Sequence, residues 1–341
     1  MQHPYFNNTE EENNKMKKLF KVLLFVFLLL IAGAAGGYFY IMNAFPKVAA
    51  APDIRIESTP ELVKRGEYLF NNVCGCADCH SSRDYSKLAG PFVEGTVGKG
   101  GSEFNEEFGL PGKFFAKNIT PAGLKGWTDG EIFRAITEGV SKDNEPLFPL
   151  MPYPNIGKMD KNDVYAIIAY LKTLKPIENT VPVRSVNFPV NLIMRSIPGK
   201  NDLTPMPDKS NTVEYGKYLT NSAGCNDCHT PQVKGEFQMN QYLAGGREFK
   251  LPGGITVRSA NISPDMQTGI GSWTKENFIQ KFRTFSKDKY IPTEVKQGEF
   301  NTVMPWTFLS NMTDEDLSAI YDYLRTIVPI PNRVTKYERT N

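Results

Sequence analysis

An all-α architecture, with one membrane-length helix followed by two tandem domains of the same kind, is what this 341-residue sequence predicts. Three observations lead there: a long uncharged segment near the N-terminus, a set of motifs that occurs twice in the same order, and apolar residues at helical rather than alternating spacing. The segment comes first. Lys15, Lys17, Lys18 and Lys21 precede an uncharged run over residues 22–45, which as a helix rises by roughly 36 Å, enough for a hydrocarbon core of about 30 Å. The competing reading is a cleaved secretory signal, with Val48-Ala49-Ala50-Ala51 as a cleavage-site mimic; the apolar core of such signals is usually only about 7–15 residues long, which favours an uncleaved anchor. Lysines before the span, against a single Lys47 just after it, place residues 1–21 as a cytoplasmic tail and everything beyond the span outside.

The repeat comes next. Gly66-Glu67-Tyr68-Leu69-Phe70-Asn71 recurs as Gly216-Lys217-Tyr218-Leu219-Thr220-Asn221, and Asn118-Ile119-Thr120-Pro121 as Asn261-Ile262-Ser263-Pro264. Gly126-Trp127-Thr128 is answered by Ser272-Trp273-Thr274, and Met151-Pro152-Tyr153 by Met304-Pro305-Trp306. Thr128 with Glu131 makes a capping box that opens a helix over 129–139, and Thr313 with Asp316 resembles one opening 314–327. Leu317, Ile320, Tyr321, Leu324 and Ile327 fall at helical spacing, as do Val164, Ile167, Ile168, Leu171 and Leu174. Glycine- and proline-rich loops such as Leu110-Pro111-Gly112 and Leu251-Pro252-Gly253-Gly254 separate the helices, and neither half shows long strand alternation. The expected domains are therefore 54–178 and 211–330. A proline-rich, semi-rigid connector over 179–210, with no counterpart elsewhere in the chain, joins them.

Each repeat carries a chemical motif. Cys76-Ala77-Asp78-Cys79-His80 and Cys225-Asn226-Asp227-Cys228-His229 are both C-x-x-C-H, the pattern that attaches c-type haem. Two thiols three positions apart reach the two vinyl groups of one porphyrin edge, and the adjacent imidazole reaches the iron. Structural zinc sites usually bring two such pairs within about 15–20 residues, whereas 145 residues separate Cys79 from Cys225. A thioredoxin-like dithiol gives no reason for a histidine after both copies. Two covalently attached haems are thus expected, with Cys76, Cys79, Cys225 and Cys228 as thioether donors. Cys74 is left without a role.

His80 and His229 take the proximal positions, and the third histidine, His3, lies before the span, so bis-histidine ligation within the chain is excluded. Met151 and Met304, 71 and 75 residues after their histidines, sit on proline-restricted loops and are the expected distal ligands. The second aligned pair, Met159 and Met312, precedes helix N-caps and fits a hydrophobic staple onto Val164 and Leu317. Trp127, Trp273, Tyr68 and Tyr218 are expected as haem-pocket packing and propionate donors, with Arg134 and Arg283 as weaker propionate candidates or solvated helix residues. Methionine opposite histidine fills both axial positions and raises the potential, which favours outer-sphere electron transfer over catalysis, so no catalytic residue is assigned. With 39 basic and 37 acidic side chains the chain lacks the basic excess of a nucleic-acid binder; redox proteins are the expected partners.

These motifs, in order and spacing over about residues 60–328, resemble the cytochrome c subunits of membrane alcohol and gluconate dehydrogenases. The carriers are Cys225-Asn226-Asp227-Cys228-His229-Thr230-Pro231, Leu243-Ala244-Gly245-Gly246, Asn261-Ile262-Ser263-Pro264-Asp265, Gly269-Ile270-Gly271-Ser272-Trp273-Thr274 and Met304-Pro305-Trp306. In the connector, Asn187-Phe188-Pro189-Val190-Asn191 with Arg195 is similar too. The resemblance implies a class I cytochrome c fold for each domain, with the His/Met ligands named above. Those subunits typically carry three haems; this chain has motifs for two, and its anchor is N-terminal. An N-terminal anchor with two c-type domains is also similar to the diheme subunit of cbb-type haem-copper oxidases. A diheme enzyme with an open haem site is the rival from another class; a peroxidase would want a further axial histidine and a thiosulfate dehydrogenase a distal cysteine. The expectation is a diheme carrier in a bacterial cytoplasmic membrane, its haem domains periplasmic, serving a dehydrogenase, a quinol-oxidising complex or a terminal oxidase.

Overall fold

The computed structural model describes residues 6–233, 235–251, 254–296 and 298–339; His3, Pro252 and Gly253 lie outside them. Helix α1 (Phe6–Ala44) runs unbroken from the charged N-terminal segment into the apolar one, so the expected tail is largely helical. Its stretch Glu12–Ala44 is long and apolar enough to cross a membrane and is not packed inside the protein. Then come α2 (Pro60–Tyr68), a π turn (Leu69–Val73), α3 (Cys76–His80), β1 (Glu103–Phe104), β2 (Gly112–Phe115), α4 (Asp129–Glu138), α5 (Tyr153–Ile156) and α6 (Lys161–Leu171). The chain continues through β3 (Ser185–Val186) and α7 (Val190–Ile193) into α8 (Thr212–Ser222), α9 (Cys225–His229), β4 (Gln232–Val233), β5 (Glu236–Phe237), β6 (Glu248–Leu251) and β7 (Ile255–Arg258). It ends with α10 (Lys275–Arg283), α11 (Trp306–Leu309), α12 (Asp314–Leu324) and β8 (Tyr337–Arg339).

The core of each half is a pair of crossed helices, α2 on α6 and α8 on α12. The repeated glycine makes the crossing: a Cβ on Gly66 would stand 1.9 Å from the Ala166 carbonyl oxygen, and one on Gly216 1.8 Å from that of Ala319. Around the crossings Leu69, Phe70, Ile167 and Ile168 are buried in one half, and Tyr215, Leu219, Leu317 and Ile320 in the other. The capping box at Thr128 and Glu131 is present, and α4 stops at Gly139, whose φ of 75° suits a left-handed C-cap. Between Asn71 and Cys76 the first repeat has one residue more than the second has between Asn221 and Cys225. The extra residue is taken up as the π turn, whereas α8 stays α-helical to Ser222.

The all-α expectation is corrected. Two antiparallel three-stranded sheets, β1-β2-β3 and β6-β7-β8, and a β4-β5 hairpin join the helices. Their strands are two to four residues long, too short for alternation to show in sequence. β3 lies in the proline-rich segment and pairs Val186 with Gly112; β8 lies beyond residue 330 and pairs Arg339 with Ile255. The segment therefore does have a counterpart, the C-terminal tail that closes the second sheet.

The halves dock reciprocally. Tyr68 donates its hydroxyl proton to Asp316 (2.6 Å) and accepts from the backbone N–H of Thr313 (3.1 Å). Tyr218 donates to Asp163 (2.6 Å) and accepts from Asp160 N–H (3.2 Å). Asp160 and Thr313 are the N-caps of α6 and α12. Each tyrosine thus closes the start of the other half's last helix, which corrects the expected use of its hydroxyl as a propionate donor. The sequence shows a Tyr in a repeated motif but not which half its hydroxyl reaches. α5 packs on α8 and α11 on the π turn. The second half's Asn301 also holds the first half's loop, accepting from Ala89 N–H (2.9 Å) and donating to the Tyr85 carbonyl (3.0 Å).

Candidate haem-binding sites

Both C-x-x-C-H motifs fold alike. Gly75 and Gly224 adopt left-handed conformations (φ 59° and 64°), after which Cys-to-His forms a single five-residue helix. In a helix, positions i and i+3 share a face, so the two thiols of each motif project together. The imidazoles of His80 and His229 are only 9% and 7% exposed. Their Nδ1 atoms lie 2.6 Å from the Lys117 carbonyl oxygen and 2.7 Å from that of Ala260. A carbonyl can only accept, so Nδ1 carries the proton and Nε2 keeps its lone pair for a metal. Burial lowers the pKa of both rings, against the opposing effect of those carbonyls, and so favours the neutral form a ligand needs.

The repeated Asn-Ile-Thr/Ser-Pro motif explains why those carbonyls are there. Asn118 accepts from Thr120 N–H (3.0 Å) and donates to the Ile177 carbonyl (2.8 Å); Asn261 accepts from Ser263 N–H (2.9 Å) and donates to that of Ile330 (2.8 Å). The motif ties the strand behind each histidine to the chain that follows the last helix. On the other side Gly100 N–H donates to the His80 carbonyl (2.8 Å) and Gly245 N–H to that of His229 (2.7 Å). A Cβ on either glycine would stand within 2.5 Å of the carbonyl-bearing strand, so a side chain there would push that strand away.

None of the five cysteines is paired in a disulfide. Burial raises the pKa of Cys76 and Cys225 to about 12 and that of Cys228 to about 11, and pushes Cys79 and Cys74 up as well. Asn155, beside the Met151 loop, donates to Asp227 of the second motif (2.6 Å). The second motif therefore touches the first half through Asp227. Cys74 contacts the Met159 sulfur (3.7 Å) on the buried side of the first half.

Met151 and Met304 lie partly exposed at the core's edge, on turns where Tyr153 N–H and Trp306 N–H donate back to the methionine carbonyls (2.8 and 2.7 Å). Met159 and Met312 are 0% and 1% exposed, in one apolar cluster with Val164 and Leu317, as a staple requires. Trp127 and Trp273 pack partly buried against the same cluster. Arg283 is neither solvated nor free for a propionate: it pairs with Asp314 and donates to the carbonyls of Ser310 and Met312. Arg134 is buried and donates to the Ser141 carbonyl (2.5 Å). Its Nε, that of Arg195 and the Tyr153 hydroxyl are buried without a partner among the described residues. Such orphaned donors are costly unless an acceptor arrives, and they fit an anionic group such as a propionate. Arg195 and Tyr153 were not singled out in sequence as such donors.

A buried imidazole with a protonated Nδ1, placed directly after two co-facial thiols, is the arrangement by which c-type cytochromes hold a haem. Residues 213–327 match the cytochrome c family model. The chain is 29% identical over 285 residues to the cytochrome c subunit of alcohol dehydrogenase (quinone) from Komagataeibacter europaeus, covering 79% of this chain and 57% of that one. It is 28% identical over 284 residues to the fructose dehydrogenase cytochrome subunit of Gluconobacter japonicus (78% and 52%). It is 29% identical over 296 residues to a diheme cytochrome c-type protein of Cereibacter sphaeroides (81% and 91%). The chain spans little more than half the length of the dehydrogenase subunits.

Proposed function

We propose that the protein is a membrane-anchored diheme cytochrome c, two tandem class I cytochrome c domains behind one N-terminal span, that relays electrons between redox partners outside the cytoplasmic membrane. The observation that carries this reading is the duplicated geometry: in each half a buried imidazole with its Nδ1 on a peptide carbonyl follows a cysteine pair. Cys76 with Cys79, and Cys225 with Cys228, would hold the haems; His80 and His229 would be the proximal ligands and Met151 and Met304 the distal ones. Bound there, each haem supplies a reversible one-electron couple whose potential is raised by thioether opposite imidazole.

The chain's own residues do the rest. The Lys117 and Ala260 carbonyls fix the imidazole tautomer and plane. The Tyr68–Asp316 and Tyr218–Asp163 contacts hold the two sites at a fixed separation, which a relay needs because electron-transfer rates fall steeply with distance. The dehydrogenase subunits among the relatives support a dehydrogenase as electron donor, with periplasmic placement of the haem domains following from the lysine-rich side of the span. The test is haem stoichiometry: pyridine haemochrome on purified full-length protein, with peptide mapping, should give two haems per chain. Replacing Cys225 and Cys228 by alanine should leave one. A single haem in the unaltered chain would overturn the diheme reading.

A further inference from the structure

We propose that residues 188–197 form an interfacial foot that seats the first half on the lipid surface, at the boundary between headgroups and acyl chains. The inference rests on reading α1 as a span. Along α1 the described side chains through Tyr40 are exposed, and cover begins only at Ile41 and Ala44. Those residues are where the globular part starts: α7 and the 3-10 turn Met194–Ser196 pack on α1, and Arg195 donates to the Phe45 carbonyl (3.2 Å). The uncharged run over 22–45 rises by roughly 36 Å against a core of about 30 Å, so its last residues emerge into the interfacial layer. Exposed Tyr38, Phe39 and Tyr40 stand there as an aromatic belt.

The foot lies at that same level. Phe188, Ile193 and Ile197 are 79%, 55% and 40% exposed, an apolar surface that none of the described residues covers. No charged side chain occurs from Val186 through Met194, and the next one, Arg195, is turned inward. Exposed Lys200 follows the segment in sequence and exposed Lys47 follows the span, and both suit anionic headgroups. A short apolar element, continuous with the exit of a span and followed by a cation, matches the chemistry of an interfacial lipid contact. The consequence is orientational: with α1 and the foot as two points of attachment, the first half is held close to the bilayer at a set angle.

Photolabelling tests the foot in the intact haem-loaded protein. Liposomes containing lipid with a diazirine high in the acyl chain are irradiated, and adducts are mapped by mass spectrometry. Residues 188–197 should label several-fold above residues 232–241, which expose Val233 and Met239 (56% and 60%) in the second half. Phe188→Asp with Ile193→Asp should abolish that labelling while leaving α1 labelled and the visible spectrum unchanged. Labelling of α1 alone in the unaltered protein would overturn the foot and leave the span standing. No labelling of α1 either would mean that the span itself fails. Protection of 188–197 from hydroxyl-radical attack in native membranes, without lipid adducts, would assign the surface to a protein partner and likewise overturn the proposal.

Discussion

At Asp163 and Asp316 the two halves meet the same demand with different side chains. Both carboxylates sit three residues past the N-cap of a last helix, 8% and 2% exposed at the side chain, and both accept a tyrosine hydroxyl from the other half. The second partner differs. Asp163 takes a bidentate guanidinium from Arg65 (2.8 and 2.7 Å). Asp316 takes the phenol of Tyr215 (2.9 Å), which occupies the equivalent place 150 residues on, with Lys209 at 3.9 Å beyond it. A buried charge is tolerated when fully hydrogen-bonded, and a cation gives the stronger bond. The comparison teaches that the interface is built from a duplicated frame, while the strength of each half of it is set by one unshared residue.

Breaking the cation should have the largest effect. Arg65→Leu leaves Asp163 buried with one neutral donor and should cost about 3 kcal/mol, the lower end for a half-removed buried pair, read as unfolding free energy of the haem-loaded chain. Tyr215→Phe, which removes a neutral donor from the sister site, should cost about 1–2 kcal/mol. Equal losses would show that the charge at position 65 is irrelevant. The inter-half tyrosines should rank the opposite way. Tyr68→Phe leaves Asp316 with a phenol and a distant lysine and should cost about 2 kcal/mol, whereas Tyr218→Phe leaves Asp163 its guanidinium and should cost about 1 kcal/mol.

The comparison extends to pH. Burial first, then the neighbouring carboxylates, raise the pKa of Tyr68, Tyr215 and Tyr218 above the ordinary tyrosine value. A raised pKa in the folded state contributes stability that is fully present below the unfolded value, about 10, and is lost as pH rises through the folded value. Thermal midpoints should therefore fall as pH rises above about 10, more shallowly in Tyr68→Phe and Tyr218→Phe. A slope unchanged in both variants would mean that these phenols ionise as freely in the fold as in the unfolded chain. The smallest effect belongs to Cys74, whose counterpart in the second half is Ala223. Cys74→Ala removes one sulfur contact to Met159 and should cost under about 1 kcal/mol with haem content unaltered. Loss of haem in that variant would give the thiol a role in maturation.

The parts that could be read in the sequence are those with local causes. The C-x-x-C-H turns, the capping box at Thr128, the N-caps Asp160 and Thr313 and the buried Met159–Met312 pair depend on neighbours within a few positions. The parts that could not be read depend on distance. Asp163 and Asp316 look like ordinary N-terminal helix acids, and only the fold brings Tyr218 and Tyr68 to them. The strands are at most four residues long, too short for alternation to stand out, and the carbonyls that hold His80 and His229 belong to backbone, marked in sequence only by the Asn-Ile-Thr/Ser-Pro motif that follows each. One signal was present and unused: the single extra residue before Cys76, which becomes the π turn.

The central proposal, two alike His/Met haem sites in one chain, is tested most directly by near-infrared magnetic circular dichroism of the ferric full-length protein. Two methionine-sulfur charge-transfer contributions should appear per chain, one lost with Met151→Leu and the other with Met304→Leu. A spectrum without them, or one that loses them only with Met159→Leu or Met312→Leu, would contradict the account.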